Sequence, residues 1–148
     1  MSSERRIQIS ESVAAATGID EAMIERLVRA FYARIRADEV LGPIFAARIR
    51  DWEPHLKRMC DFWSSVVLQT GRYSGQPMRM HQPLPVDARH FDRWLGLFKK
   101  TAEEVCPPDA AAHFVYRAEK IAESLELGIA ASQGVLLKRG ERFLRSTV

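Results

Sequence analysis

A chain of 148 residues, 47% hydrophobic and 28% charged, has the length and make-up of one soluble globular domain that can bury a core without covalent staples. Its 22 Lys and Arg stand against 19 Asp and Glu and are dispersed along helical patterns, which leans against a nucleic-acid tail or a polybasic membrane patch. Cys60 and Cys106 fit neither a metal spacing nor a secreted disulfide framework, Met1 to Ser10 lacks the apolar stretch of a signal peptide, and no apolar run is long enough to span a membrane, so reduced thiols and a cytoplasmic location are expected.

In chain order, Met1 to Ser10 reads as loose or weakly helical, with Ser10 or Ser12 able to cap a short helix through Ala16 that Gly18 ends. Asp20 reads as the cap of a long helix to about Ala37, whose apolar stripe is Ile24, Val28, Phe31, Tyr32 and Ile35. Tyr32 is therefore close to the buried face, where by default a tyrosine is a core residue whose hydroxyl finds a carbonyl. Gly42-Pro43 breaks the pattern, so Val40 to Ile49 should be short irregular helix, with Phe45 among apolar neighbours.

Asp51 to Thr70 reads as the next long helix, with Pro54 tolerated in its first turn. Trp52, His55, Met59, Phe62, Trp63 and Val66 share one broad face of it, and Cys60 falls off that face. His55 has two readings: a core histidine with one satisfied nitrogen, or a residue pointing into a ligand cavity. Lys57 and Arg58 lie at the boundary between that face and solvent.

Tyr73 to Asp87 is the unusual stretch. Ser74 and Gly75 suit a turn, Pro77 suits the first turn of a helix, and Pro83 and Pro85 forbid that helix from continuing. One or two turns remain, ending near His81, too few to recover the cost of nucleation. Packing or a bond to His81 must hold them. His81 can be a metal ligand or a partly buried imidazole bonded to a carbonyl.

From Asp87, a natural cap, a helix to Val105 carries Phe91, Trp94, Leu95, Phe98 and Val105. A buried Trp94 indole wants an acceptor, and His90, one turn earlier, rivals His81 as a buried imidazole. Cys106-Pro107-Pro108-Asp109 separates this helix from the last, about Asp109 to Gln133, with Phe114, Ala118, Ile121, Ala122, Leu125 and Ile129 on its core side and His113 at the surface. Val135 to Val148 should fray, unless Leu136, Leu137, Phe143 and Leu144 extend the helix. With no alternating strand pattern, repeat or linker, the chain reads as all-α: an N-terminal extension over 1–19, partly helical, one domain over 20–133, and a C-terminal extension over 134–148.

No nucleotide-binding, hydrolase or zinc-protease motif occurs, and the acidic residues fall on polar faces, so no buried carboxylate pair suggests hydrolysis. The positive signal is the occupants of the apolar faces. Tyr32, His55 and Trp94 are hydrogen-bonding side chains from three helices, and His81 comes from a fourth. Such groups must be satisfied in the core or face a ligand. Haem fits, since it takes one axial histidine, an aromatic slot and basic groups at its edge.

Phe31-Tyr32-Ala-Arg-Ile-Arg-Ala-Asp, Leu41-Gly-Pro-Ile-Phe45, His55 with Phe62-Trp63, Tyr73-Ser-Gly-Gln-Pro-Met-Arg-Met-His81 and Trp94-Leu-Gly-Leu-Phe98 occur in an order and spacing that resembles the truncated haemoglobins. The resemblance covers about Ile24 to Ile129. Eight glycines without a Gly-Gly pair point to the third group of that family, because the first two typically carry paired glycines. The resemblance implies a shortened globin fold, a helical sandwich around haem b. By the same resemblance, His81 is the proximal iron ligand, Tyr32 and Trp94 are distal donors to dioxygen, and His55 is the distal histidine, a mobile gate. Phe45 would stack on the porphyrin, Arg58 and Arg79 would meet the propionates, and Met59, Phe62, Trp63, Met80, Leu84 and Phe98 would line the slot. Two or three donors suit tight dioxygen binding for oxygen, nitric oxide or peroxide chemistry better than bulk oxygen transport. Nitric oxide dioxygenase and peroxidase-like activities are the enzymatic candidates, with an external reductase and a monomeric or weakly dimeric chain. The rival readings are a haem-based gas sensor acting through a partner protein, and a cofactor-free helical interaction protein.

Overall fold

Helix-capping chemistry and apolar stripes lay out most of the molecule, which a computed structural model describes over residues 3–145. Seven helices and no strand occur among the described residues. α2 (Glu21–Ala37) begins where the Asp20 carboxylate accepts the Met23 N–H at 2.8 Å. It buries Met23, Ile24, Leu27, Val28, Phe31, Tyr32 and Ile35, a stripe at three- and four-residue spacing. α3 (Leu41–Ala46) follows a turn in which the Asp38 carboxylate takes the Val40 and Leu41 N–H groups. Gly42 is required there because a Cβ would lie 2.9 Å from the Arg36 carbonyl. α4 (Trp52–Leu68) ends at Gln69, in the left-handed region with φ 55°. α5 (Pro77–His81) is the five-residue stub between the proline breaks. α6 (Ala88–Val105) starts at a capping box: Asp87 accepts from the first turn, and the His90 Nδ1 accepts the Asp87 N–H at 3.0 Å. α7 (Pro108–Ser132) carries proline at its first position.

α6 packs most extensively on α7 and α2, and α2 also packs on α4 and α3. Among these helices runs an aromatic spine. Phe98 stacks on Trp63 at 5.0 Å and on Trp94 at 5.5 Å, Phe31 meets Phe98 edge-on at 5.1 Å, and Phe114 meets Trp63. A second core cluster of Val86, Phe91, Ala122, Ile129, Ala130 and Phe143 lies beside the first, and Trp94 and Leu95 pack against both.

Several expectations change. The N-terminal segment is one continuous helix, α1 (Ser3–Thr17), with no serine cap at Ser10 or Ser12. None of its residues is buried, and it forms by leaning on α4 and α7. Ser10 donates instead to the Leu68 carbonyl, and Gly18, with φ 74°, ends the helix. The carboxylates of Asp87 and Glu126 are buried, not on polar faces, because each is met by arginine and backbone donors. The tail does not extend α7: Leu136 and Leu144 are exposed, whereas Phe143 is buried in the second cluster. His113 is half-buried, its Nε2 3.4 Å from the Val67 carbonyl. His90 is occupied as part of the α6 cap. Residues 1–2 and 146–148, parts of the two expected loose ends, lie outside the described residues. Both cysteines are free thiols.

Candidate functional site

The site begins with the stub. Pro77 opens α5 and its carbonyl lies 2.6 Å from the His81 Nδ1. A carbonyl only accepts, so Nδ1 is the donor in this bond and Nε2 is the nitrogen left for a metal. The stub packs against α7, where the Met78 side chain occupies the space above Gly128. A Cβ on Gly128 would fall 2.0 Å from the Met78 sulfur, so the missing side chain is what admits it. The Leu84 N–H closes the turn onto the His81 carbonyl at 3.0 Å.

On α4, the His55 Nε2 is buried and has no hydrogen-bond partner. Burial is the main cause that lowers the pKa of this imidazole, and Arg58 and His81 lower it further. His81 is thus within electrostatic reach of His55, although α5 is held against α7 rather than α4. The Tyr32 ring meets His55 edge-on at 5.5 Å and Phe45 at 6.0 Å. Tyr32 is 6% exposed, and its phenol is pushed up by burial alone. Its hydroxyl makes no hydrogen bond with another described residue. Trp94, half-buried, reaches this group through Phe31, which it meets edge-on at 5.4 Å, while Phe31 meets Tyr32 at 5.1 Å.

Tyr32 therefore meets both Phe45 and His55 ring to ring, with Trp94 one ring away. Met59 and Phe62 are half-buried against the first core, Trp63 and Phe98 lie within its aromatic spine, and Leu84 packs against the second. Arg58 and Arg79 are exposed cations without an ion-pair partner among the described residues. Met80 is 72% exposed and does not join the group. Trp52 does: it meets His55 edge-on at 5.7 Å, with the Arg36 guanidinium 4.6 Å from its own ring centre. Its place three residues before His55 on the same face was the available signal. The Arg48 guanidinium, which reaches the Pro83 carbonyl at 3.3 Å, carried no such signal.

Among the described residues no group of three or more His, Cys, Asp or Glu could hold a bare metal ion. An imidazole held through Nδ1 alone, and a buried imidazole nitrogen on another helix with no partner, fit a metal whose other ligands come with a macrocycle. The residues present fit haem on that test.

The chain matches the family model of the bacterial-like globins over residues 13–124. It is 32% identical over 113 residues to the group 3 truncated hemoglobin ctb of Campylobacter jejuni, covering 73% of this chain and 89% of that protein. The crystal structure of the group III truncated hemoglobin from Campylobacter jejuni superposes with a TM-score of 0.69 at 31% identity, over 83% of this chain and 95% of that one. A thermostable hemoglobin from Thermobifida fusca shares the fold, with a TM-score of 0.54 at 23% identity, over 84% and 96% of the two chains. No helix among the described residues is long and apolar enough to cross a membrane.

Proposed function

The chain belongs to the group III truncated haemoglobins of the bacterial-like globin family, and from that premise we propose that it binds haem b through His81 and holds dioxygen tightly for oxygen, nitric oxide or peroxide chemistry rather than for bulk transport. A bound haem supplies an iron that takes a diatomic ligand and changes oxidation state. The chain's own residues do the rest. The Pro77 carbonyl fixes the His81 ring through Nδ1 and raises the basicity of Nε2. Tyr32, His55 and Trp94 would offer O–H and N–H groups to a ligand held there. If haem is bound, such donors would stabilise partial negative charge on a diatomic ligand and slow its release. Slow release is a handicap for a carrier and an advantage for a site that must keep its ligand until a second reactant arrives. An external reductase would restore the iron after each turnover.

The observation that carries the reading is the His55 Nε2: a buried imidazole nitrogen without a protein partner, on a ring that meets Tyr32 edge-on. The test is a hemin titration of the purified chain. A Soret band that saturates at one hemin per chain, together with altered dioxygen release after Trp94→Phe, is expected. No saturable Soret band rejects haem binding, and unaltered release rejects the donor role of Trp94.

A further inference from the structure

The segment that follows His81 has an unusual shortage of donors. Pro83 and Pro85 have no N–H to give, and no backbone N–H of the surrounding turns bonds to the carbonyls of Leu84 and Val86. The partner is the C-terminal tail, which lies beyond the residues matched by the family model. The Arg145 guanidinium donates Nε–H to the Val86 carbonyl at 3.0 Å and Nη2–H to the Leu84 carbonyl at 3.0 Å. Its own backbone N–H donates to the buried Asp87 carboxylate at 3.0 Å.

The tail is itself anchored two and three residues earlier. Phe143 is 5% exposed in the second core cluster; its N–H donates to Glu126 at 2.9 Å, and its carbonyl accepts the Ala88 N–H at 2.7 Å. Arg142 reaches Glu126 on α7, and Asp92 and the Ala88 carbonyl on α6. Residues 142–145 thus lock the ends of α6 and α7 together and then reach forward to the segment that carries His81. The Leu84 N–H bonds in turn to the His81 carbonyl at 3.0 Å.

We propose that residues 142–145 are a clasp on the proximal side, and that Arg145 is a positioning residue that sets the placement of His81 by holding the carbonyls of Leu84 and Val86. The proposal rests on the haem reading for its effect on iron, but the clasp itself is a property of the hemin-free chain. The guanidinium acts as a fork between two carbonyls, not as a charge, so lysine cannot replace it.

The test uses the full-length chain as wild type, Arg145→Ala, Arg145→Lys and, as a control, Leu136→Ser at a tail position that is 85% exposed. Three quantities are read: hemin transfer to excess apomyoglobin, the iron–histidine stretching band of the ferrous protein, and amide exchange over 82–87 in the hemin-free protein. The Arg145→Ala protein should lose hemin about tenfold faster, as expected for about 1.4 kcal/mol of lost hydrogen bonding. It should also shift or broaden the iron–histidine band, which a general loss of stability would not do. Exchange over 82–87 should accelerate, Arg145→Lys should resemble Arg145→Ala, and Leu136→Ser should resemble wild type. An unmoved band with unmoved exchange in Arg145→Ala overturns the clasp, and so does full restoration by lysine. If wild type takes up no hemin, the haem reading fails separately, and exchange over 82–87 still decides the clasp.

Discussion

Replacing Tyr32 with Phe separates a hydroxyl that faces a ligand from one that serves the core. The Tyr32 ring lies 5.1 Å from Phe31, 5.5 Å from His55, and 6.0 Å from both Phe45 and Trp52, and a phenylalanine ring keeps all four contacts. The hydroxyl has no hydrogen bond to another described residue, and only burial acts on the phenol. The hydroxyl oxygen is not among the fully buried atoms that lack a partner, so its removal relieves little desolvation cost. The hemin-free Tyr32→Phe protein should therefore unfold within about 1 kcal/mol of wild type. With haem and dioxygen present, the same change removes a donor to a partly negative ligand, about 1.5–3 kcal/mol for a charge-assisted bond. That corresponds to dioxygen release faster by about ten- to a hundredfold. Urea denaturation of the hemin-free protein measures the first quantity, and stopped-flow displacement of dioxygen by carbon monoxide measures the second. A loss of more than about 2 kcal/mol without hemin, together with unchanged release, would mean that the hydroxyl is satisfied inside the protein. The reasoning about the distal side would then be refuted.

Two further substitutions probe the frame around the site. Gly42→Ala should destabilise the fold by about 1–3 kcal/mol, because the new Cβ would lie 2.9 Å from the Arg36 carbonyl and 3.3 Å from that of Ile35, and neither backbone atom can move freely; a thermal melt unchanged from wild type would contradict it. The Arg93 guanidinium, with the Leu41 and Val40 N–H groups, holds the Asp38 carboxyl down to about 2. A depressed carboxyl stabilises the fold above the unfolded carboxylate range and loses that contribution as pH falls toward 2. Asp38→Asn should lower the urea midpoint at pH 7 and leave it close to that of wild type at pH 2; an equal deficit at both values would place the effect elsewhere.

Helix starts that depend on one local side chain were legible in the sequence. Asp20 and Asp87 are such caps, and the helices they open were read to within a residue or two. Structure that depends on distant partners was not. The burial of Glu126 makes sense only with Arg142, which lies sixteen residues further on and folds back, and α1 has no stripe of its own and forms against α4 and α7. His90 could have been recognised as a capping residue, because it stands three positions after Asp87, but capping boxes usually place Glu or Gln there. In the site, Tyr32, His55 and Trp94 stood out as polar groups on apolar stripes, and His81 as an imidazole on a stub too short to stand alone. A five-residue helix has too little periodicity to say which side faces inward, so the 72% exposure of Met80 could not be read from its neighbours. The Nδ1–carbonyl bond that sets the His81 tautomer is a four-residue contact within that stub, and only the folded geometry displays it.

The most direct measurement loads hemin into wild type and His81→Ala and records the ferrous resonance Raman spectrum with and without added imidazole. Wild type should show an iron–histidine stretching band, His81→Ala should lose it, and free imidazole should restore an iron–imidazole band in the variant. A His81→Ala protein whose spectrum matches wild type before imidazole is added would contradict ligation by residue 81.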